Sequence, residues 1–478
     1  MQMKPLLVLL SALGLSACAG MGPPPERSVQ MVESSLPKAW FAPAVPHQGQ
    51  TTSLVDWWSR LGDPRLPELI GQAQQGSASI MAARAQLFAA RAALAGADSA
   101  TLPQVGLTAG AYRGVDASAP LGTGMNVGLQ ASWAIDLWGQ NASSVRQASA
   151  QANAAQAGWH EARVLMAAET ARLYLGWRSC LAQKAVIDSD RASRSITAQS
   201  AADTERAGLL APATAALARA GQADAEARLA QQHRQCEQQF KAIVALVGAD
   251  EPALRERLGA SGALPDPTAA RSALAVSAVP LEVIRQRPDV ARAQQELVAA
   301  AEGVGVARAA LWPSLSLSSN VLRNRFTTGG ESTTFNTWSV GPLVLNLPLI
   351  GRGGLNASAE AAAARYESAA IGYANVLRRA IAEVEQSLVA LDTLRTQLVA
   401  SQQAVAGYTR SFEATEARYR VGLANLNELE EARRLKLNAD SGAVGLQLDH
   451  LNTWIALYVA LGGGFDPQIA PEPVRQAS

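Results

Sequence analysis

Only three cysteines and four histidines occur among the 478 residues, and that scarcity narrows the field. His47, His160, His233 and His450 have no ligand-like spacing with one another or with cysteine, so packing or surface roles are expected of them and no metal centre. Charge of one sign is missing as well. Forty-one Lys+Arg oppose 40 Asp+Glu for a net +1, so no basic face is advertised for nucleic acid. Aromatics supply 5 % of the chain while apolar residues reach 48 %, which leaves alanine carrying much of the apolar count, as in long, closely packed helices. Beyond the first twenty residues no uncharged apolar run is long enough to cross a bilayer as a helix. A chain of this kind that crosses a membrane must do so as a β-barrel. A catalytic constellation is also missing. Gly303-Val304-Gly305 lacks the third glycine of a dinucleotide loop, and Arg287-Pro288-Asp289 reads as the capping chemistry of a helix start. No enzyme is expected.

What is present begins with a secretion signal. Lys4 supplies a positive start, Leu6 to Leu15 an apolar run, and small residues follow. Leu15-Ser16-Ala17-Cys18 has the form of the bacterial lipobox, which makes Cys18 the candidate for lipidation and residues 1–17 the removed signal. The acyl-modified Cys18 would be the only attached group, with no other cofactor, and would tether the chain to membrane lipid without a spanning helix. The alternative is an ordinary signal that happens to contain a cysteine. In the lipoprotein sorting scheme the motif implies, Ala19 rather than aspartate after Cys18 favours the outer membrane.

The rest of the chain is written twice. Leu102-Pro103-Gln104-Val105 and Trp312-Pro313-Ser314-Leu315 each look like a helix stopped by proline and turned into a strand. Leu137-Trp138-Gly139 follows the first proline by 36 residues (139 − 103), and Leu349-Ile350-Gly351 follows the second by 38 (351 − 313). Arg206-Ala207-Gly208-Leu209 and Arg420-Val421-Gly422-Leu423 come next, then Ala245-Leu246-Val247-Gly248 and Ala460-Leu461-Gly462-Gly463. Four landmarks in the same order imply two structural repeats, expected at 61–264 and 265–465, with an extended lipid-anchored segment at 18–60 and a tail at 466–478.

Within each repeat the periodicity changes from two to helical. Val127, Leu129, Ala131, Trp133 and Ile135 alternate with small or polar residues, and Leu315, Leu317 and Val321 with Ser and Asn, giving strands over about 105–136 and 315–347. A Gly-rich loop from Gly114 to Gly124 is expected between the first two, and a polar loop before Thr337 between the second two. Helical hairpins follow over about 140–248 and 352–462. The stretch from Gly139 to Gly208 could extend about 100 Å if unbroken. Four strands cannot close a membrane barrel, so copies must share one; two chains would give eight strands and three would give twelve.

These residues resemble a known family. Trp57-Trp58, Asp63-Pro64, Trp133-Ala134-Ile135-Asp136-Leu137-Trp138-Gly139, Arg287-Pro288-Asp289, Ala307 to Ser314, Arg418-Tyr419-Arg420-Val421-Gly422 and Leu457 to Gly464 are similar, in order, to the TolC-type outer-membrane efflux proteins of the lipidated NodT/OprM-like branch. The resemblance implies an α+β membrane protein: a homotrimer with a 12-stranded transmembrane β-barrel on a periplasmic α-helical barrel. It also implies a passive exit duct for drugs or other small toxic compounds, served by a periplasmic adaptor (membrane fusion) protein and an inner-membrane transporter. The same fold as an outlet for protein secretion or metal-ion export is the near alternative, and a non-conducting structural lipoprotein the distant one. The family's periplasmic gate maps onto Tyr419, Glu428 and Glu431; Ala424 and Thr214 depart from the charged residues some members carry there. A solvated helix face is the plain alternative for the two acids.

Cys180 lies 28 residues before Gly208 (208 − 180) and Cys236 lies 28 after it (236 − 208). Equal distance from the turn of an antiparallel hairpin means equal height, so in an oxidising compartment a Cys180–Cys236 disulfide is expected.

Overall fold

The computed structural model describes residues 22–34, 36–43, 54, 57–116, 119–259, 262–265, 280–465 and 469. The signal at 1–17, Cys18 and nearly all of the tail at 466–478 lie outside the described residues.

The elements follow in chain order. Helix α1 (Pro25–Ser34) leads, and after a 3-10 turn (Trp57–Leu61) come α2 (Arg65–Gly76), α3 (Ala78–Ala100), β1 (Gln104–Asp116) and β2 (Ala119–Ile135). The first long hairpin is α4 (Gln140–Arg206) and α5 (Pro212–Val247), followed by α6 (Glu251–Leu258) and α7 (Pro280–Ile284). Then α8 (Pro288–Ala309), β3 (Ser314–Thr328), β4 (Glu331–Asn346), α9 (Gly353–Arg420) and α10 (Leu426–Ala460) repeat the pattern. At 67 and 68 residues, α4 and α9 are each about 100 Å long. The hairpin tips turn on Gly208 and Gly422, whose φ values of 73° and 77° belong to the left-handed region that a side chain disfavours.

The four strands form one antiparallel sheet in the order β1-β2-β3-β4. Leu129 sits opposite both Leu107 and Val321, and Val321 opposite Trp338, so one face carries a band of large aliphatic and aromatic side chains. Most of them are exposed in the single chain: Leu107 is 74 % exposed and Trp338 74 %. The other face carries mostly Gly, Ser, Asn and Thr, with Tyr112, Leu322, Phe326 and Phe335 among them toward the end away from the helices. Within the sheet β1 and β4 are paired on one side only.

The glycine-rich stretch is not a loop. Gly122 and Gly124 lie inside β2, and the turn of the second hairpin shrinks to Gly329-Gly330. The cause is packing across the polar face: the Phe326 ring lies where a β-carbon on Gly122 would stand, and the Tyr112 ring where one on Gly124 would. The glycines read as turn formers in the sequence are seats for aromatic rings on neighbouring strands.

The two repeats join where their proline landmarks meet. Trp138 Nε1 donates to the Pro313 carbonyl at 2.8 Å, with the Trp138 and Trp312 rings 5.0 Å apart. The main core sits midway along the long helices, where Trp57, Trp58, Leu61 and Leu66 pack against Tyr174, Trp177, Phe240 and Tyr458. Trp57 stacks on Tyr458 at 4.9 Å. No described helix is long and apolar enough to cross a membrane.

Candidate functional site

The features able to act are the polar face of the sheet, the hairpin tips and the seams between the hairpins. At the tips, Tyr419 is half-buried against Leu426, Leu210 and the small residues Ala198, Ala201, Ala215 and Ala218. Burial pushes its phenol above the usual tyrosine value, the nearby Arg433 cation pulling the other way. Glu428 and Glu431 are both exposed. The backbone of Glu428 donates to Asn425 Oδ1 at 2.9 Å while Asn425 Nδ2 donates to Glu428 Oε1 at 2.7 Å, so the two residues cap the start of α10 reciprocally. Arg434 holds Glu431 through two nitrogens, at 2.7 and 3.0 Å, and keeps its carboxyl below the usual range. Within one chain, then, Tyr419 faces the first hairpin while both acids point to solvent.

A second charged group, absent from the sequence reading, lies just inside the tips. Arg433 on α10 is 3 % exposed in its side chain and donates to Thr197 Oγ1 at 2.9 Å and Ser193 Oγ at 3.0 Å, both on α4. Glu430 is bonded to Arg433 and also to Arg194 of α4. Arg194 reaches Asp190 at 2.9 Å, and Arg228 of α5 reaches the same carboxylate at 3.4 Å. Burial lowers the Arg433 guanidinium from its ordinary value, with Glu430 opposing. These residues stitch the second hairpin to the first.

Farther along the first hairpin, Cys180 and Cys236 face each other with Cα atoms 5.5 Å apart, their sulfurs within bonding distance. Gln232 Nε2 donates to the Cys180 carbonyl at 3.2 Å beside them. His160 is buried between the Trp159 and Phe465 rings with its Nε2 2.9 Å from the Ile469 carbonyl, and Trp454 Nε1 donates to His450 Nε2 at 3.0 Å. Among the described residues no three His, Cys, Asp or Glu side chains are grouped as metal ligands.

Comparison with known proteins fits this geometry. The family model described as "Outer membrane efflux protein" matches residues 69–249 and 279–463. The chain belongs to the outer membrane efflux protein family. The pyoverdine export outer membrane protein OpmQ of Pseudomonas aeruginosa is 27 % identical, the match covering 97 % of this chain and 98 % of that protein. The outer membrane protein OprJ of the same organism is 29 % identical over 96 % of this chain and 95 % of its own. Among solved structures, the outer-membrane channel OprN superposes with a TM-score of 0.80 at 24 % identity, covering 89 % of this chain and 97 % of that one. This member of the family therefore has the TolC-like channel fold, resides in the outer membrane and is an outer-membrane component of an efflux system.

The missed residues had a faint signal. Asp190 and Arg194 are four apart and Glu430 and Arg433 three apart, each a pair that on its own reads as a solvated helix surface.

Proposed function

We propose that three copies close a 12-stranded barrel through the β1 and β4 edges, with the six long helical hairpins continuing it as a tube through the periplasm. The tube is a passive exit for drugs or other small toxic compounds, delivered by an inner-membrane transporter through a periplasmic adaptor, and performs no catalysis. The observation that carries this reading is the four-stranded sheet: a wet face, a greasy exposed face, and two edges whose backbone groups find partners in a bilayer only on another copy. Tyr419, Glu428 and Glu431 line the periplasmic mouth near the threefold axis, where the exposed acids of three chains would repel one another and favour opening.

Two modifications belong to this reading. Cys18 carries lipid, which is supported by the lipobox form of Leu15-Ser16-Ala17-Cys18. Gly22, the first described residue, lies against α8, where a β-carbon on it would stand 2.7 Å from the Ala301 carbonyl. Cys180 and Cys236 form a disulfide, supported by their 5.5 Å Cα separation. One intact-mass and peptide-mapping experiment under non-reducing conditions reads both: the mature chain starts at an acylated Cys18, and the Cys180 and Cys236 peptides emerge linked. Unmodified Cys18 or two free thiols would remove the respective claim.

The duct itself is tested by planar-bilayer recording of the purified protein together with the drug susceptibility of a deletion strain. Discrete conductance steps and increased susceptibility are expected; a scaffold lipoprotein would give neither.

A further inference from the structure

The greasy face of the sheet changes character along its length. Going up from the helices, its rows read Ile135 with Leu315 and Leu345, then Trp133 with Leu317 and Leu343, then Val105 with Ala131, Ser319 and Val340, then Leu107, Leu129, Val321 and Trp338. The next rows bring Arg323 opposite Val127 and Asn336, then Arg325 opposite Met125 and Thr334, and beyond these Arg113 opposite Thr123. Strands rising about 3.3 Å per residue and tilted about 40° place the three guanidinium-bearing rows roughly 20, 25 and 30 Å above the Ile135 row. A barrel's apolar band is about 25 Å tall, so the three arginines stand at its upper rim, at the end away from the helices.

Among the described residues no carboxylate neutralises them. Arg113, Arg323 and Arg325 are all exposed, and among the described residues no ion pair joins any of them to a carboxylate. Arg325 Nη2 reaches only Ser332 Oγ, at 3.4 Å. The two acids of the strands lie elsewhere. Glu331 pairs with Thr328 in the row set of the opposite, polar face, and Asp116 closes β1 past a register irregularity at the turn. Glu331 thus stands on the face opposite the three arginines. An unpaired arginine beside hydrocarbon is costly unless its long stem can carry the head to a polar group.

Resting on the barrel reading above, we propose that this rim is a binding surface for the phosphorylated glycolipid of the outer leaflet. The guanidinium groups take its phosphates in forked hydrogen bonds while Val321, Leu129 and Trp338 below lie along its acyl chains. The arginines sit on β1 and β3, so around a closed ring of twelve strands every second strand carries them, about 10 Å apart. That spacing lets neighbouring lipids be bridged by one trimer, fixing its height in the membrane and sealing the protein–lipid boundary against leakage.

The test uses the purified full-length protein in detergent, with bis-phosphorylated lipid A and the same lipid stripped of both phosphates as probes, read by native mass spectrometry. The phosphorylated lipid is expected to bind roughly 100-fold more tightly, with a preference that shrinks as salt rises. Arg113→Gln, Arg323→Gln and Arg325→Gln combined should erase the preference, and the three corresponding lysine substitutions should keep most of it. Should the glutamine variant not assemble, the two probes on the unaltered protein decide alone. Equal binding of both lipids by a protein that still conducts in a planar bilayer overturns the rim proposal; a protein that neither inserts nor conducts overturns the barrel reading beneath it.

Discussion

Replacing Glu430 by glutamine should raise the ratio of open to closed time of the purified channel about 30- to 150-fold. The carboxylate stands between two cations, Arg433 on its own helix and Arg194 on α4. Without its charge, Arg433, 3 % exposed in its side chain, keeps the hydroxyls of Ser193 and Thr197 and the Phe412 ring 5.7 Å away but no carboxylate of its own, since that of Asp190 is already shared by Arg194 and Arg228. Removing one partner of a buried pair costs about 3–5 kcal/mol. Glu430 is 26 % exposed, so solvent takes up part of the loss and about 2–3 kcal/mol is the better figure. The penalty falls on the state in which the hairpins are stitched together. An opening in which the tip of α10 swings away from α4 would bring Arg433 to water, so the open state would be spared and the ratio would shift about 30- to 150-fold. Single-channel recording reads the change directly. The double variant Glu430→Gln with Arg433→Met removes charge and countercharge together and should return most of the way to the unaltered protein, a coupling that a merely damaged tip would not show. Equal open fractions for the Glu430→Gln variant and the unaltered protein would end the idea that this seam holds the mouth closed.

Much of the fold was legible because it is written locally. A strand with one wet face has a period of two, a proline ends a helix, and a left-handed glycine marks a tip; each signal needs only neighbouring residues. The expected strand pairs at 105–136 and 315–347 compare with strands at Gln104–Asp116, Ala119–Ile135, Ser314–Thr328 and Glu331–Asn346. The heights of Cys180 and Cys236 were legible for a related reason, since a two-helix hairpin converts distance from the turn into position along an axis. What stayed hidden depends on contacts between segments far apart. Gly122 and Gly124 look like loop residues until Phe326 and Tyr112 are seen lying over them. Arg433 and Thr197 are 236 residues apart in the chain, and in the sequence each looks like an ordinary surface residue of its own helix. Glu428 and Glu431 show the converse: their spacing of three was legible, but the capping contact with Asn425 and the pairing with Arg434 were not.

The largest loss of stability is expected at Asp63, in a motif that the sequence offered only as a family mark. This carboxylate is buried and accepts from the Tyr174 hydroxyl at 2.6 Å and from Arg178 Nη1 at 2.9 Å with one oxygen. Its other oxygen accepts from Arg65 Nε at 3.0 Å and from the Arg65 backbone at 3.1 Å. Arg65 and Arg178 go on to the carbonyls of Leu258 and Ala263, so one side chain ties the N-terminal segment, α4 and the chain after α6 together. Asp63→Ala leaves Arg178, 5 % exposed in its side chain, without its countercharge, and should cost about 3–5 kcal/mol. Asp63→Asn keeps hydrogen-bonding atoms in place and should cost less. Thermal unfolding in detergent, at matched scan rates because such proteins unfold irreversibly, should order the three as unaltered, asparagine, alanine. Acid supplies an independent check. Burial alone would raise the Asp63 carboxyl, but the bonds from Tyr174 and Arg65 outweigh it and hold it below 3.8. A group depressed on folding stabilises fully above its unfolded value and loses that contribution as the pH falls through its folded one. The gap between the unaltered protein and Asp63→Asn should therefore be full at neutral pH and narrow only below pH 3.8. A gap that stayed constant into strong acid would mean that shape, and not the charge of Asp63, holds this junction together.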